Sequence, residues 1–335
     1  MKARWLLGAA GLALLLYLLP SPPAATPAQR HHLAMGTVVS LSLYVAPDRA
    51  DSCMDLATRE IDRVDSLMSD YSAASEVARI NRTAASGPVA CGPELLEVVR
   101  RSLEWSRRTD GAVDVSLGAL TRLWGFPDAT APPAPAAVDS ARARCGYEQV
   151  ALEGDSLRFR RAGLKLDLGA DAKGYAVDRA VAVLMAAGVE AGVVEAGGDL
   201  RFWGAKPDGR PWRFGVQHPR LHEHLVEVED VGLPALATSG DYEQYYELGG
   251  RRYHHLLDRS TGYPADRAVS ATAWAGTAMD ADALATAFFV MGPEAAVDLA
   301  EATPGVEALV YYERDGRLQQ VATSGLRGRL HMPPE

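Results

Sequence analysis

The stretch DADALATAFFVMG, from Asp280 to Gly292, constrains the fold more than any other part of the chain. Its apolar residues suit a buried helix, and a buried helix needs other layers packed around it. Yet Asp282 and Thr286 sit four apart, which places a carboxylate and a hydroxyl on one helical face. One explanation is structural: Asp280 caps the helix, Asp282 complements the positive end of its dipole, and Thr286 returns its hydroxyl to the backbone. The other is that this polar face meets a ligand, and the rest of the chain has to decide.

The 335 residues leave room for one large domain or two modest ones. At 48% hydrophobic and 23% charged, the composition supports a real core. A formal charge of −9 argues against nucleic acid as a partner, since no basic stripe is available for a phosphate backbone. An anionic ligand therefore needs a metal or a local pocket of donors.

Residues 1–30 stand apart. Lys2 and Arg4 precede an apolar run from Trp5 to Leu19, followed by PSPPAATPAQR. This is the pattern of an export signal or an N-terminal membrane anchor, and either places the body, residues 31–335, outside the cytoplasm. The run is shorter than the roughly 20 residues that a spanning helix needs. No cysteine follows it closely enough for a lipid anchor. Cys53, Cys91 and Cys145 lack metal-like spacing, and an exported compartment permits one disulfide among them.

Along the body, MGTVVSLSLYV (Met35 to Val45) alternates like a half-buried strand. Met54, Ala57, Ile61, Val64 and Met68 then recur at three and four, predicting an amphipathic helix that ends at a Ser-rich loop. Pro93 opens a second helix to about Arg108, and GAVDVSLGALTRLWGF passes from a Gly turn into a short apolar element. Pro127 to Val138, PDATAPPAPAAV, reads as a surface loop or a spacer between lobes. Short strands at about 150–168, a helix near 171–187, and a series of short strands from Val193 to Ala273 follow. The Asp280 helix, a last helix and the strands VEALVYYE and LQQVAT complete the chain. No regular βαβ rhythm appears, so an α+β fold with mixed or antiparallel sheets and packed helices is expected. Neither AGGDL nor DLGADAKG has the G-x-G-x-x-G spacing of a Rossmann site.

Four segments concentrate glycine, acid and hydroxyl residues. In LDLGADAKGYAVDRA a strand ending at Asp167 turns through Gly169 and Ala170 into a helix bearing Lys173, an arrangement of free N–H groups and positive charge that suits a phosphate. The alternative is a plain turn with a solvated lysine. The segment from Ala235 to Ala265 carries a hairpin at Gly249 and Gly250, then His254, His255 and Asp258. Adjacent strand residues face opposite ways, so only one histidine can face a given site. A His beside an Asp at a strand end is a candidate general base; two surface histidines on an edge strand are the alternative. Tyr71, in DSLMSDYSAASE, is placed to stack on a flat ring or simply to pack. Asp114, between apolar neighbours in GAVDVSLG, must find backbone amides or a ligand hydroxyl.

Taken together and in order, these segments resemble the ApbE-type flavin transferases (FAD:protein FMN transferases). The resemblance runs from Met35 to about Gly292 through MGT, D-x-x-x-S-x-Y (Asp65, Ser69, Tyr71), G-A-x-D, D-L-G-A-x-A-K-G-Y-x-x-D, G-G-D, T-S-G-D-Y, H-x-x-D-x-x-T-G-x-P and A-D-A-L-A-T. It implies a two-lobed single catalytic unit, related to the T-fold. It also implies a Mg²⁺ ion held by Asp282, Thr286 and an oxygen of Ala170, with FAD contacts from Met35, Tyr71, Ala112, Val113, Asp114, Asp167, Lys173 and Leu256. Oxygen ligands of this kind are what Mg²⁺ prefers. Two positions depart from the pattern: Arg259 stands where a proline typically follows Asp258, and Glu195 where an asparagine usually precedes G-G-D.

The reaction so implied moves FMN from FAD to a Ser or Thr hydroxyl of an acceptor protein, an exported or membrane redox subunit, and releases AMP. His255 would serve as base, with Asp258 orienting it or acting in its place. The alternatives are a Mg²⁺-dependent FAD pyrophosphatase and a non-enzymatic exported FAD-binding protein. The expected location is the periplasm or the outer face of the inner membrane.

Overall fold

The computed structural model describes residues 26–70, 72–221, 225–229 and 231–331. Its frame is an eight-stranded sheet whose spatial order follows chain order. The strands are β1 (Ala28–Ala34), β2 (Thr37–Tyr44), β3 (Ala191–Ala196), β4 (Asp199–Trp203), β5 (Ala235–Gly240), β6 (Ser270–Ala275), β7 (Glu307–Arg314) and β8 (Arg317–Ala322). Every neighbouring pair is antiparallel, so the α+β expectation holds. The strand expected at Met35 to Val45 is β2, while β1 went unforeseen because AQRHHLA is polar and alternates weakly. Since β1 begins at Ala28, the folded unit starts slightly before residue 31; the apolar run from Trp5 to Leu19 lies outside the described residues.

Met35 and Gly36 form the two-residue turn between β1 and β2, both with positive φ, 53° and 72°. Such a turn follows the right-handed twist of the flanking strands, but methionine rarely adopts it. The Met35 N–H donates to Asp65 Oδ2 at 3.0 Å, which fixes the turn from the neighbouring helix.

Eight helices are present among the described residues: α1 (Pro47–Met68), α2 (Glu76–Thr83), α3 (Pro93–Arg108), α4 (Gly118–Trp124), α5 (Pro135–Arg142), α6 (Ala172–Ala186), α7 (Ala278–Met291) and α8 (Pro293–Glu301). The stripe Met54, Ala57, Ile61, Val64 and Met68 is buried on α1, as its period requires. The helix of the opening stretch, α7, packs on β5 and β6 and against α6, with nearly all its side chains in the core. Gly174 lets α6 and α7 touch backbone to backbone: a Cβ there would lie 2.3 Å from the Ala278 carbonyl oxygen. The opposite sheet face carries Leu236, Trp274, Leu309 and Tyr311, covered by a small three-stranded sheet built from residues 213–217, 225–229 and 330–331.

Residues 45–190, inserted between β2 and β3, hold α1 to α6 and a second small sheet. Here the expectation for Pro127 to Val138 needs correction. Pro135 occupies the first turn of α5, where a proline costs no hydrogen bond. Val138 and Ala141 then pack with Leu120, Trp124 and Leu257, so the end of this stretch starts a helix anchored by Val138, while most of its other residues stay exposed or half-buried. All three cysteines are free. No described helix is long and apolar enough to cross a membrane.

Candidate active site

The contact of α6 with α7 assembles the centre of the site. Lys173, in the first turn of α6, places its Nζ 2.6 Å from Asp199 Oδ2 and 3.1 Å from each Asp282 oxygen. The Gly174 N–H donates to Asp282 Oδ2 at 3.1 Å. Asp199 opens β4 just after the Gly197–Gly198 turn, and the Glu195 carboxylate closes that turn by accepting from Gly198 N–H at 2.7 Å. Asp171 joins from the turn before α6 through Ser102, whose hydroxyl donates to Oδ2 at 2.8 Å, while Oδ1 is buried without a hydrogen bond.

Asp199 and Asp282, 2% and 3% exposed, thus hold one ammonium between them, with the buried Asp171 near enough to feel both the Asp282 and the Lys173 charge. Burial works against the Lys173 ammonium, but the Asp199 and Asp282 charges outweigh it and hold its pKa above the ordinary range. Burial raises Asp199 well above the usual carboxylate range, and the Asp282 charge adds to this. Asp171 is pushed up to about 8, chiefly by burial. These carboxyls relieve their burial by taking up protons, which a cation bound here would displace.

Each structural explanation offered for α7 is replaced. Thr277 is the N-cap, accepting from the Asp280 N–H at 3.1 Å, because its backbone is extended where Asp280 is already helical. Asp280 instead accepts from Arg101 at 2.5 and 2.9 Å and from Trp105 Nε1 at 2.7 Å. Asp282 turns to Lys173 and Gly174, and the Thr286 hydroxyl lies 3.3 Å from Ser239 Oγ on β5. The polar face of α7 points into the cluster. Ala170 lies at the rim of the same core, in the turn that leads into α6.

The apolar residues expected on the flavin side lie in or against the core that holds α7. Met35, Ala112 and Ala170 pack on the edge of the core that contains Val113, Leu256 and α7. Val115 and Asp167 are joined by a hydrogen bond from Asp167 N–H to the Val115 carbonyl at 2.8 Å, which brings the 112–114 turn beside the segment entering α6; the strand expected to end at Asp167 is absent, the preceding strand stopping at Phe159. Asp167 Oδ1 accepts from Gly169 N–H at 2.8 Å, and burial raises its pKa. Asp114 is satisfied within the protein: Oδ1 accepts from the Ser116 N–H and hydroxyl at 2.8 and 2.6 Å, and Oδ2 from Tyr147 N–H at 3.1 Å. Of the two options for Asp114, backbone amides and a neighbouring hydroxyl take the carboxylate. Tyr71 lies outside the described residues.

The two histidines part as strand geometry demands. His254 is a core residue: Nε2–H donates to the Ala265 carbonyl at 2.9 Å, Nδ1 accepts from Leu256 N–H, and the ring meets Phe289 edge-on. His255 is held through its backbone N–H to the Gln244 carbonyl, and its Nδ1 is covered but makes no hydrogen bond. Burial, then His254 and also Lys173, lower its pKa to about 4, so the imidazole is neutral at neutral pH. Asp258 does not orient it. The Asp258 carboxylate accepts from Ser260 N–H at 2.7 Å, because the tight turn S-T-G-Y-P leaves that amide unpaired beside it.

Residues 35–310 match the ApbE family model. The chain belongs to the ApbE family. It is 36% identical to the FAD:protein FMN transferase of Vibrio cholerae, the alignment covering 96% of this chain and 98% of that one. The Escherichia coli K12 FAD:protein FMN transferase is 33% identical over 72% of this chain and 71% of its own. Among solved structures, the ApbE protein of Thermotoga maritima superposes with a TM-score of 0.83 at 31% identity, covering 90% of this chain and 99% of that one. The flavin transferase ApbE of Vibrio cholerae gives 0.82 at 32%, covering 92% and 100%.

Two residues of this candidate site, Asp171 and Asp199, were not singled out from sequence, and Ser239, read with Thr238 and Gly240 as a polar turn, lies in strand β5 instead. Asp199 lay in the quoted G-G-D motif, yet an Asp after two glycines reads as turn chemistry until Lys173 is seen beside it. Asp171 had the signal of an acid in the turn before a helix, without the side-chain cap bond that usually explains one.

Proposed function

We propose that this chain catalyses the Mg²⁺-dependent transfer of FMN from FAD to a Ser or Thr hydroxyl of an acceptor protein, forming a phosphodiester and releasing AMP. The observation that carries this reading is the buried pair Asp199 and Asp282 on Lys173, with Asp171, the Thr286 hydroxyl and neutral His255 nearby. Family membership supports the same activity.

Asp282, Thr286 and the Ala170 carbonyl would hold the ion, a set of hard oxygen donors. Bound there, Mg²⁺ supplies charge neutralisation for the pyrophosphate. The protein's own groups do the rest. Lys173, in the first turn of α6, would offset phosphate charge. The acceptor oxygen forms a bond to the FMN phosphorus as the bond from that phosphorus to the AMP oxygen breaks, and the hydroxyl proton passes to His255. A neutral imidazole with an unbonded nitrogen is suited to that role. Asp258 shapes the turn that presents His255. The charged, apolar N-terminal segment supports an exported enzyme, in the periplasm or on the outer face of the inner membrane, with an exported redox subunit as acceptor.

The test is AMP release from FAD with Mg²⁺, with and without a flavin-acceptor domain, for wild type and Asp282→Ala. Metal-dependent AMP matched by covalent FMN, and lost in the variant, is the expected result. AMP without labelling would instead indicate a pyrophosphatase, and FAD binding with no AMP a flavin-binding protein.

A further inference from the structure

Arg259 makes a set of contacts that a surface arginine does not need. Its Nη1 lies 3.2 Å from Asp114 Oδ2 and 2.9 Å from Glu148 Oε2, and the guanidinium covers the Tyr147 ring, 5.2 Å from its centroid. The fit depends on two glycines. A Cβ on Gly111 would lie 3.0 Å from both Nε and Nη2, and one on Gly146 would lie 3.4 Å from Nη1. The carboxylate it reaches, Asp114, has a side-chain exposure of 0%. Arg259 therefore ties three segments that are distant in sequence: the turn at 111–114, residues 146–148, and the loop carrying His255.

That loop has a second anchor at its other end. His254 bonds Ala265 and the Leu256 N–H, and Asp258 closes the turn through Ser260. Between these points His255 is left with a covered, unbonded nitrogen. We propose that Arg259 is a positioning residue for the transfer step, joining the His255 loop to the turn at 112–114 so that base and flavin keep a set separation. The proposal rests on the reading of His255 as the base. Planarity matters here: one guanidinium addresses Asp114 and Glu148 while lying flat on Tyr147, which an ammonium cannot do.

The experiment compares single-turnover transfer at saturating FAD, FAD affinity and thermal stability in wild type, Arg259→Met, Arg259→Lys and Glu148→Gln. Misplacement of a reacting group by ~1 Å costs on the order of 100-fold in rate, so Arg259→Met should slow transfer by about 10- to 100-fold. Its FAD affinity should change by less than about threefold, the signature of an interaction that acts on the step and not on binding. Arg259→Lys retains the charge beside Asp114 and should fall between wild type and Arg259→Met. Glu148→Gln keeps an acceptor oxygen for Nη1 and should lie closer to wild type than Arg259→Met. Rate and affinity falling together in Arg259→Met would make it a binding residue and overturn the proposal. So would a wild-type rate in either Arg259 variant. An acceptor left unlabelled by the wild type would remove the transferase reading itself, and the proposal with it.

Discussion

Replacing Lys173 with methionine removes the ammonium that Asp199 and Asp282 face, and the structure sets the size of the effect. Nζ lies 2.6 Å from Asp199 and 3.1 Å from both oxygens of Asp282, whose side-chain exposures are 3% and 4%. Breaking a buried ion pair by deleting one partner costs ~3–5 kcal/mol, because the remaining charge stays desolvated. Two features limit the loss: Asp199 takes up a proton readily, its pKa being raised by burial, and Asp282 keeps the Gly174 N–H. We therefore expect the low end, about 3 kcal/mol, or a Tm lowered by roughly 6–12 °C at ~2–4 °C per kcal/mol. Urea unfolding of the chelator-treated protein would measure it. Asp199→Asn in the Lys173→Met background should return part of the loss, with a coupling above about 1 kcal/mol. A loss below about 1 kcal/mol, or strictly additive effects, would refute the account of the cluster as charge held by Lys173.

Three further outcomes are expected. Gly174→Ala would gain ~1 kcal/mol in a free helix, yet here the new Cβ would sit 2.3 Å from Ala278 O and 2.5 Å from Ala278 C, so unfolding should be easier by roughly 3 kcal/mol. A variant as stable as wild type would show that α6 and α7 can separate freely. His254 and His255 titrate at about 4 in the folded chain, below the ordinary value of 6.5. As pH falls, the unfolded chain takes up protons first, so their contribution is full above 6.5 and is lost between 6.5 and about 4. Tm measured across that window should fall with pH, less steeply in His254→Gln, and transfer that depends on His255 should stay level down to about pH 5. Asp280→Ala leaves Arg101 and Trp105 without their acceptor and should destabilise by ~2 kcal/mol, while AMP release per folded molecule is retained.

The elements legible in the sequence were those whose pattern is local. The stripe from Met54 to Met68 has one apolar face, Pro93 marks the first turn of α3, and Gly249–Gly250 mark a hairpin turn, so propensity and tertiary packing agree there. Motif order then carried the family. What escaped were short or polar elements: β1, whose partner is β2, and α5, whose proline-rich start resembles a loop until Val138 and Ala141 are seen against Trp124.

For α7 the sequence alone determined that the helix is buried and that Asp282 and Thr286 share a face. Which of its acids caps, which pairs and which faces the site was decided only by the fold. The physical reason is that a buried carboxylate takes the role of whatever donor is brought to it. Arg101 and Trp105 claim Asp280, Thr277 claims the cap, and Lys173 reaches Asp282 because Gly174 allows α6 close to α7. Asp199, from a third element, becomes part of the same charge cluster beside Lys173 and Asp282. Such pairings join residues separated by long stretches of chain, and no periodicity or local spacing encodes them.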